Sequence, residues 1–207
     1  MAKVFNVGLI GCGHIAETYF RAHKYFNNFK ITKCADINQN AANKCAKINK
    51  IKAVTIKELL SDTDIKIILN LTIPAAHYTV AKQALLNGKH VYSEKPLAIN
   101  FQDGKKLIKL AKKKKLYVGN APDTFLGGGS QKSRDLLDKK VIGKVIFGNA
   151  IFAYPGIQSY HPNPESWFAK KGGGPVVDMG PYYLTALVNL LGPAKEVLSQ
   201  SEKGKET

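Results

Sequence analysis

The chain has 207 residues, 44% of them hydrophobic, which is enough for one complete domain with a packed core and part of a second. Its formal net charge of +16 raises the alternative of a nucleic-acid-binding protein. Only Arg21 and Arg134 are arginine among the 31 basic residues, however, whereas proteins that bind nucleic-acid grooves usually employ the arginine fork. The composition therefore disfavours nucleic acid as a partner, and that alternative rests on charge alone.

Segments that would target the chain to a membrane are not predicted. No stretch is long and apolar enough to span a bilayer, and the first predicted strand begins at Val4, which leaves no room for a cleavable signal peptide. The three cysteines lack the spacing of metal ligands and cannot form a complete set of disulfides. We therefore expect a cytoplasmic, reducing location, no membrane partner and no metal site.

Apolar runs alternate with helical patterns over the first 120 residues. Strands are predicted at 4–10, 31–35, 67–71, 90–92 and 116–118, and helices begin near residues 14, 40, 55, 75 and 100. This alternation predicts an α/β fold with a doubly wound parallel sheet, that is, a Rossmann domain over residues 1–121.

An incomplete second α/β domain is predicted over residues 122–207. Its expected elements are a helix at 131–139, a strand at 144–154, a helix from about 179 to 191 and a strand at 195–199. Two strands are too few to bury an apolar sheet face. We therefore expect a fragment or a naturally short chain, which forms a homo-oligomer through this second domain.

A glycine-rich turn lies between the first predicted strand and the first predicted helix. In the sequence Gly11-Cys12-Gly13-His14-Ile15-Ala16, Gly11 permits the turn and Gly13 allows backbone N–H groups to approach a pyrophosphate. Asp36 ends the second predicted strand, where its carboxylate can accept hydrogen bonds from a ribose diol and would repel the 2′-phosphate of NADP. No arginine follows Asp36, so the sequence favours NAD over NADP.

Three further segments follow in order: Thr72-Ile73-Pro74 with His77, Glu94-Lys95-Pro96-Leu97, and residues 172–182 with the sequence GGGPVVDMGPY. Together with the glycine turn and the segment Ala35-Asp36-Ile37-Asn38, they resemble the motifs of the family of glucose-fructose oxidoreductase, inositol dehydrogenase and the MocA rhizopine-catabolism proteins. The resemblance implies an NAD(P)-dependent oxidoreductase that acts on a sugar, cyclitol or polyol. It also implies a second domain whose open sheet mediates subunit contacts.

The resemblance implies catalytic roles for Lys95, which would meet the reactive hydroxyl beside the nicotinamide, and for Asp178 and Tyr182, one helical turn apart. Many relatives carry histidine at the position of Tyr182 and an acidic residue at the position of Thr185, so the proton relay is left open. His161, in the loop that precedes Asp178, is a further catalytic candidate. The predicted cofactor-binding residues are Gly11, Gly13, His14, Ile15, Asp36, Thr72, Pro74, His77, Glu94 and Lys95.

The leading hypothesis is an NAD-dependent dehydrogenase that transfers hydride between the nicotinamide and a secondary alcohol. The alternative is a relative that binds the nucleotide as a sensor or regulator and has lost turnover. For His77, a structural role and a cofactor contact are equally consistent with the sequence.

Overall fold

The computed structural model describes residues 4–154, 156–157, 168 and 173–202, and these form two compact units. The first unit contains residues 4–122 together with the described part of 155–181. The second contains residues 123–154 and 182–202. His161 lies outside the described residues.

The first unit is built on a six-stranded parallel sheet with the order β3-β2-β1-β4-β5-β6. Its strands are β1 Phe5–Ile10, β2 Phe29–Ala35, β3 Lys52–Ala53, β4 Ile65–Asn70, β5 His90–Ser93 and β6 Val118–Asn120. The strand order reverses between β1 and β4, which is the point where parallel sheets bind ligands. The predicted doubly wound Rossmann fold is confirmed, and only the two-residue strand β3 was not predicted.

The helices of the chain begin close to the predicted positions. They are α1 His14–Ala22, α2 Gln39–Asn49, α3 Ile56–Ser61, α4 Pro74–Leu86, α5 Phe101–Lys114, α6 Gly128–Asp138 and α7 Pro175–Leu191. Local caps explain where several of these helices begin. The Asn38 side chain accepts from two N–H groups of α2, and Thr55 and Glu58 form a capping box on α3. Pro74 occupies the first turn of α4. In the described part of the chain, no helix has the length and apolarity that crossing a bilayer requires.

Apolar side chains fill both faces of the sheet. Adjacent residues of one strand separate into different clusters, as Leu9 and Ile10 do on β1, because successive side chains of a strand point to opposite faces. One cluster joins β1 and β4 to α3, α4 and α5, and the other joins β1 and β2 to α1 and α2. The helices therefore cover the sheet from both sides and leave its carboxyl edge for the loops.

In the second unit, Arg134 of α6 binds the end of α7. Its guanidinium donates hydrogen bonds to the carbonyl oxygens of Asn189 at 3.0 Å and Leu190 at 2.8 Å. A cation at this position also suits the negative end of the α7 dipole. This contact holds the two helical segments of the unit together.

The strands predicted at 144–154 and 195–199 are wrong, because neither segment forms a ladder in the described part of the chain. An alternating pattern makes a strand only where a neighbour pairs its backbone groups, and these two segments do not pair with each other. Their apolar side chains remain exposed, among them Ile146 (93%) and Ile151 (80%). The expected self-association stays a prediction that light scattering can test, with these side chains as the surface it would use.

The connection between α3 and β4 is held by two lysines. The Lys33 ammonium on β2 donates to the Asp62 carboxylate, and the buried Lys89 ammonium donates to the carbonyl oxygens of Asp62 and Ile65. Burial lowers the pKa of Lys89. The pKa of Asp62 is lowered, first by the hydrogen bond from Lys33 and second by the N–H of Asp64.

Asp62→Asn tests this ion pair. Since folding lowers the pKa of Asp62, the carboxylate stabilises the fold above its unfolded pKa of about 3.9, and this contribution is lost as the pH falls through the folded-state pKa. We expect the variant to lose about 1 kcal/mol in the free energy of unfolding at pH 7, measured with urea, and to show a flatter dependence on pH in acid. The exposed neighbour provides the control Asp64→Asn, and the same pH dependence in both variants would contradict the assignment.

Candidate active site

The glycine turn after β1 is fixed by a close backbone approach. Gly11 has φ of +101°, and a Cβ atom there would lie 2.6 Å from the carbonyl carbon and oxygen of Leu71, after β4. The N–H of Leu71 in turn donates to the carbonyl oxygen of Ile10 at 2.8 Å. Only glycine combines this φ with this contact, so Gly11 is required by the fold itself.

Gly13 differs from Gly11, because a Cβ atom on Gly13 would meet no atom within 4 Å and its φ is −78°. It is the N-cap of α1 and supplies no side-chain cap to the N–H groups of the first turn. A helix N-terminus that presents backbone N–H groups and a positive dipole suits a phosphate. The open space over Gly13 leaves room for a pyrophosphate to approach the backbone.

Asp36, at the end of β2, uses both carboxylate oxygens to hold the neighbouring backbone. Oδ2 accepts from the N–H of Cys12 at 2.7 Å, and Oδ1 accepts from the N–H of Asn38 at 2.8 Å. The side chain therefore connects the glycine turn to the start of α2. Each oxygen has a second lone pair, so a ribose hydroxyl can still donate to the carboxylate.

A buried polar hub lies where β4 and β5 end. The fully buried Asn70 donates to the carbonyl oxygen of His77 at 3.0 Å and to Oγ of Ser93 at 3.2 Å, and its Oδ1 accepts from the Thr72 hydroxyl at 2.7 Å. These bonds satisfy both ends of the Asn70 amide. They hold the loop after β4 at a fixed distance from the loop after β5.

His77, on α4, connects the same two loops. It is 1% exposed, and its ring nitrogens lie 2.6 Å from the carbonyl oxygen of Pro96 and 2.8 Å from that of Thr72. With both nitrogens occupied by backbone, the ring positions the segments that carry Thr72 and Lys95. This placement corresponds to the structural alternative for His77.

Glu94 follows β5 and contacts three parts of the unit. Its carboxylate accepts from the Tyr19 hydroxyl of α1 at 2.8 Å and from the N–H of Lys95 at 3.1 Å, while its carbonyl oxygen accepts from the Asn120 amide at 2.9 Å. Asn120 also donates to the carbonyl oxygen of Ser93 at 2.9 Å. The backbone that precedes Lys95 is thus held by α1 and β6.

Lys95 forms an ion pair with Asp178, near the start of α7. The Lys95 ammonium lies 2.5 Å from Asp178 Oδ1 and 2.7 Å from the Asp178 carbonyl oxygen, and the two side chains are 14% and 13% exposed. The peptide bond between Lys95 and Pro96 is cis. A partly buried ammonium that donates to a carboxylate forms a charge-assisted hydrogen bond, which is stronger than one between neutral groups.

The structure thus brings together Lys95 and Asp178, which are 83 residues apart in the sequence. Tyr182 lies four residues after Asp178 on α7, in the second unit, and it is half-buried. Three positioning residues were missed from the sequence, namely Tyr19, Asn70 and Asn120. Asn70 carried a usable signal, because it is a polar residue at the end of a strand whose preceding residues are mostly apolar.

Comparisons with known proteins agree with this architecture. Residues 5–121 match the family described as "Oxidoreductase family, NAD-binding Rossmann fold", and residues 130–206 match the "GFO/IDH/MocA C-terminal domain". A 3-ketoreductase from Actinomadura kijaniata, whose crystal structure contains NADP and TDP-benzene, is 25% identical with a TM-score of 0.77, over 92% of this chain and 58% of that chain. A protein of gentamicin A biosynthesis in complex with NAD shares the fold with a TM-score of 0.78 at 17% identity, over 93% of this chain and 55% of that one.

Among relatives of known sequence, trans-1,2-dihydrobenzene-1,2-diol dehydrogenase of Xenopus laevis is 34% identical over 61% of this chain and 37% of its own length. D-xylose dehydrogenase of Paenarthrobacter nicotinovorans is 26% identical over 69% of this chain and 38% of its own length. The chain therefore spans less than half the length of these two relatives.

Substitution of each glycine of the turn by alanine separates an effect on folding from an effect on cofactor binding. Gly11→Ala must strain a positive φ and displace the Leu71 backbone, so we expect its free energy of unfolding to fall by about 2 kcal/mol or more. Gly13→Ala keeps the fold, because its Cβ atom meets no protein atom, but that atom would project into the space above the turn and weaken dinucleotide binding. Urea unfolding and dinucleotide titration of both variants check this, and equal stability losses would contradict the distinction.

Proposed function

Because the chain belongs to the GFO/IDH/MocA oxidoreductase family, we propose that it is an NAD-dependent dehydrogenase acting on a secondary alcohol of a sugar, cyclitol or polyol. The observation that carries this proposal is the Lys95–Asp178 ion pair, located after β5 and two strands from the glycine turn. The names of the diol and xylose dehydrogenases support an alcohol as the reacting group.

The residues of the first unit fit a nicotinamide dinucleotide. Gly11, Gly13 and the first turn of α1 would hold its pyrophosphate, and Asp36 would hold its adenosine ribose. When bound, the nicotinamide supplies the hydride acceptor or donor. The backbone of Thr72 and Pro74, at the end of the neighbouring strand, would border the cofactor.

Lys95 would handle the proton of the substrate. Its Nζ atom would contact the substrate hydroxyl oxygen and take the hydroxyl proton as one of its own protons passes to Asp178 Oδ1. Glu94 and His77 would position Lys95 by fixing the backbone before and after it. The catalytic roles expected for Tyr182 and His161 from the sequence remain part of this proposal.

The alternative function is nucleotide binding without turnover, as in a sensor or regulatory relative. It shares the dinucleotide site with the dehydrogenase and differs in making no use of Lys95 chemistry. A protein that binds NAD but oxidises no member of a sugar and cyclitol panel would support this alternative.

Lys95→Met tests the assigned proton chemistry. We expect turnover on the best substrate to fall by about 100-fold to 10,000-fold, while the dissociation constant for NAD changes less than about twofold, because Lys95 acts on the hydroxyl proton. Lys109→Met, on the exposed surface of α5, is the control and should keep wild-type turnover. If Lys95→Met kept wild-type turnover, another residue would have to handle the hydroxyl proton, and Tyr182 would be tested next.

Asp36 determines the expected cofactor preference. Repulsion between its carboxylate and a 2′-phosphate costs about 1 kcal/mol or more, so NAD should bind at least about fivefold more tightly than NADP. Asp36→Asn removes the charge while keeping an oxygen acceptor for the backbone, and it should narrow this ratio. Titration of both variants with both dinucleotides is the measurement, and NADP binding as tight as NAD to the wild type would refute the preference.

A further inference from the structure

Three cysteines from separate segments meet beneath the glycine turn. Cys12 lies between Gly11 and Gly13, Cys34 lies on β2, and Cys45 lies on α2. Their Sγ atoms all lie within 4.8 Å of one another. The intervals of 22 and 11 residues do not match the short spacing of known cysteine motifs, so the sequence alone did not indicate this cluster.

The cluster is buried and contains only sulfur ligands. Cys34 is 0% exposed, Cys45 is 9% exposed, and Cys12 is half-buried. Within the described residues, no histidine or carboxylate belongs to the same group. Thiolates bind soft cations in preference to Mg²⁺ or Ca²⁺, which require oxygen ligands.

We propose that Cys12, Cys34 and Cys45 form a three-thiolate binding site for a thiophilic closed-shell cation of the Zn²⁺ class. A Zn²⁺ ion with Zn–S bonds of about 2.3 Å holds its sulfur ligands about 3.8 Å apart. The observed limit of 4.8 Å is within about 1 Å of that separation, so side-chain rotation can close the site without rebuilding the strands.

The surroundings of the cluster act in both directions on the negative charge of bound thiolates. The N-terminal end of α1, whose dipole is positive, begins two residues after Cys12. The Asn49 amide donates to Cys45 Sγ at 3.8 Å. Hydrogen bonding with Cys12 lowers the pKa of Cys34, whereas the pKa of Cys12 is raised, first by that hydrogen bond and then by burial. Burial is also the main cause that raises the pKa of Cys45 to about 11.

Metal binding at this site displaces protons. A cysteine coordinates a metal as the thiolate, and the ordinary pKa of a cysteine thiol, about 8.5, leaves it mostly protonated at pH 7. Coordination replaces each thiol proton with the ion, so binding becomes tighter as the pH rises. This proton release distinguishes a thiolate site from adventitious binding to histidine or carboxylate groups on the surface.

The test uses the full chain, reduced and freed of metal with a chelator, and titrated with Cd²⁺ as the probe. We expect a thiolate-to-cadmium charge-transfer absorption that saturates at about one ion per chain, with about two to three protons released per ion at pH 7. Zn²⁺ should displace the cadmium and abolish the absorption, and Mg²⁺ should not. Circular dichroism, recorded throughout, confirms that the protein stays folded.

Variants then locate the site. Loss of a residue that only hydrogen-bonds to a metal ligand typically weakens metal binding 10–100-fold. Cys45→Ser removes a ligand itself, so it should weaken Cd²⁺ binding by about 100-fold or more. Asn43→Ala, on the exposed side of the same helix, should leave the affinity unchanged. If Cys45→Ser does not fold, the stoichiometry and proton release of the wild type still decide the matter. Absence of the absorption at one equivalent, or its persistence in Cys45→Ser, would overturn the proposal.

Discussion

The contact on which this molecule most depends is the approach of two backbone segments, one after β1 and the other after β4. Gly11 and Leu71 lie so close that no side chain could fit between them. This approach fixes the distance between the glycine turn and the loop that carries Thr72. Since β1 and β4 are the strands at which the sheet order reverses, the contact also determines the shape of the crevice at the carboxyl edge.

From that contact, a series of buried hydrogen bonds extends across the carboxyl edge of the sheet. Asn70 fixes the loop after β4 to the end of β5, and His77 fixes it to the segment after Lys95. Buried polar groups of this kind are costly unless each one is satisfied, and here their partners are the loops of the candidate site. The loops of the site are therefore held by hydrogen bonds at the edge of the sheet, and this support does not depend on Lys95 itself.

The sequence predicted the first unit well, because its strands and helices have strong periodicity and its helix starts have local caps. It did not predict the role of Tyr19, since its partner Glu94 is 75 residues away in the sequence. The role of Asn70 was also missed, because a buried polar hub leaves no periodic pattern beyond one polar residue at the end of an apolar strand. The strand predicted at 144–154 failed for a related reason. An alternating pattern of apolar residues shows which side chains would share a face of a strand. The backbone forms a strand, however, only where a neighbouring strand pairs with it. The family resemblance implied catalytic roles for both Lys95 and Asp178, but no spacing rule predicts that the two side chains form an ion pair.

The two oxygens of Asp36 place a restriction on how this fold can diverge. One oxygen holds the N–H of Cys12 and the other holds the N–H of Asn38, so the side chain that faces the adenosine ribose in our proposal also supports the turn. Exchange of Asp36 for a residue without an acceptor would deprive both N–H groups of their partner. A lineage that moves from one dinucleotide to the other therefore has to change the charge at position 36 and still keep an acceptor for these two N–H groups. A change to Asn keeps one of the two oxygens, whereas a change to a residue without an acceptor would pass through a less stable protein.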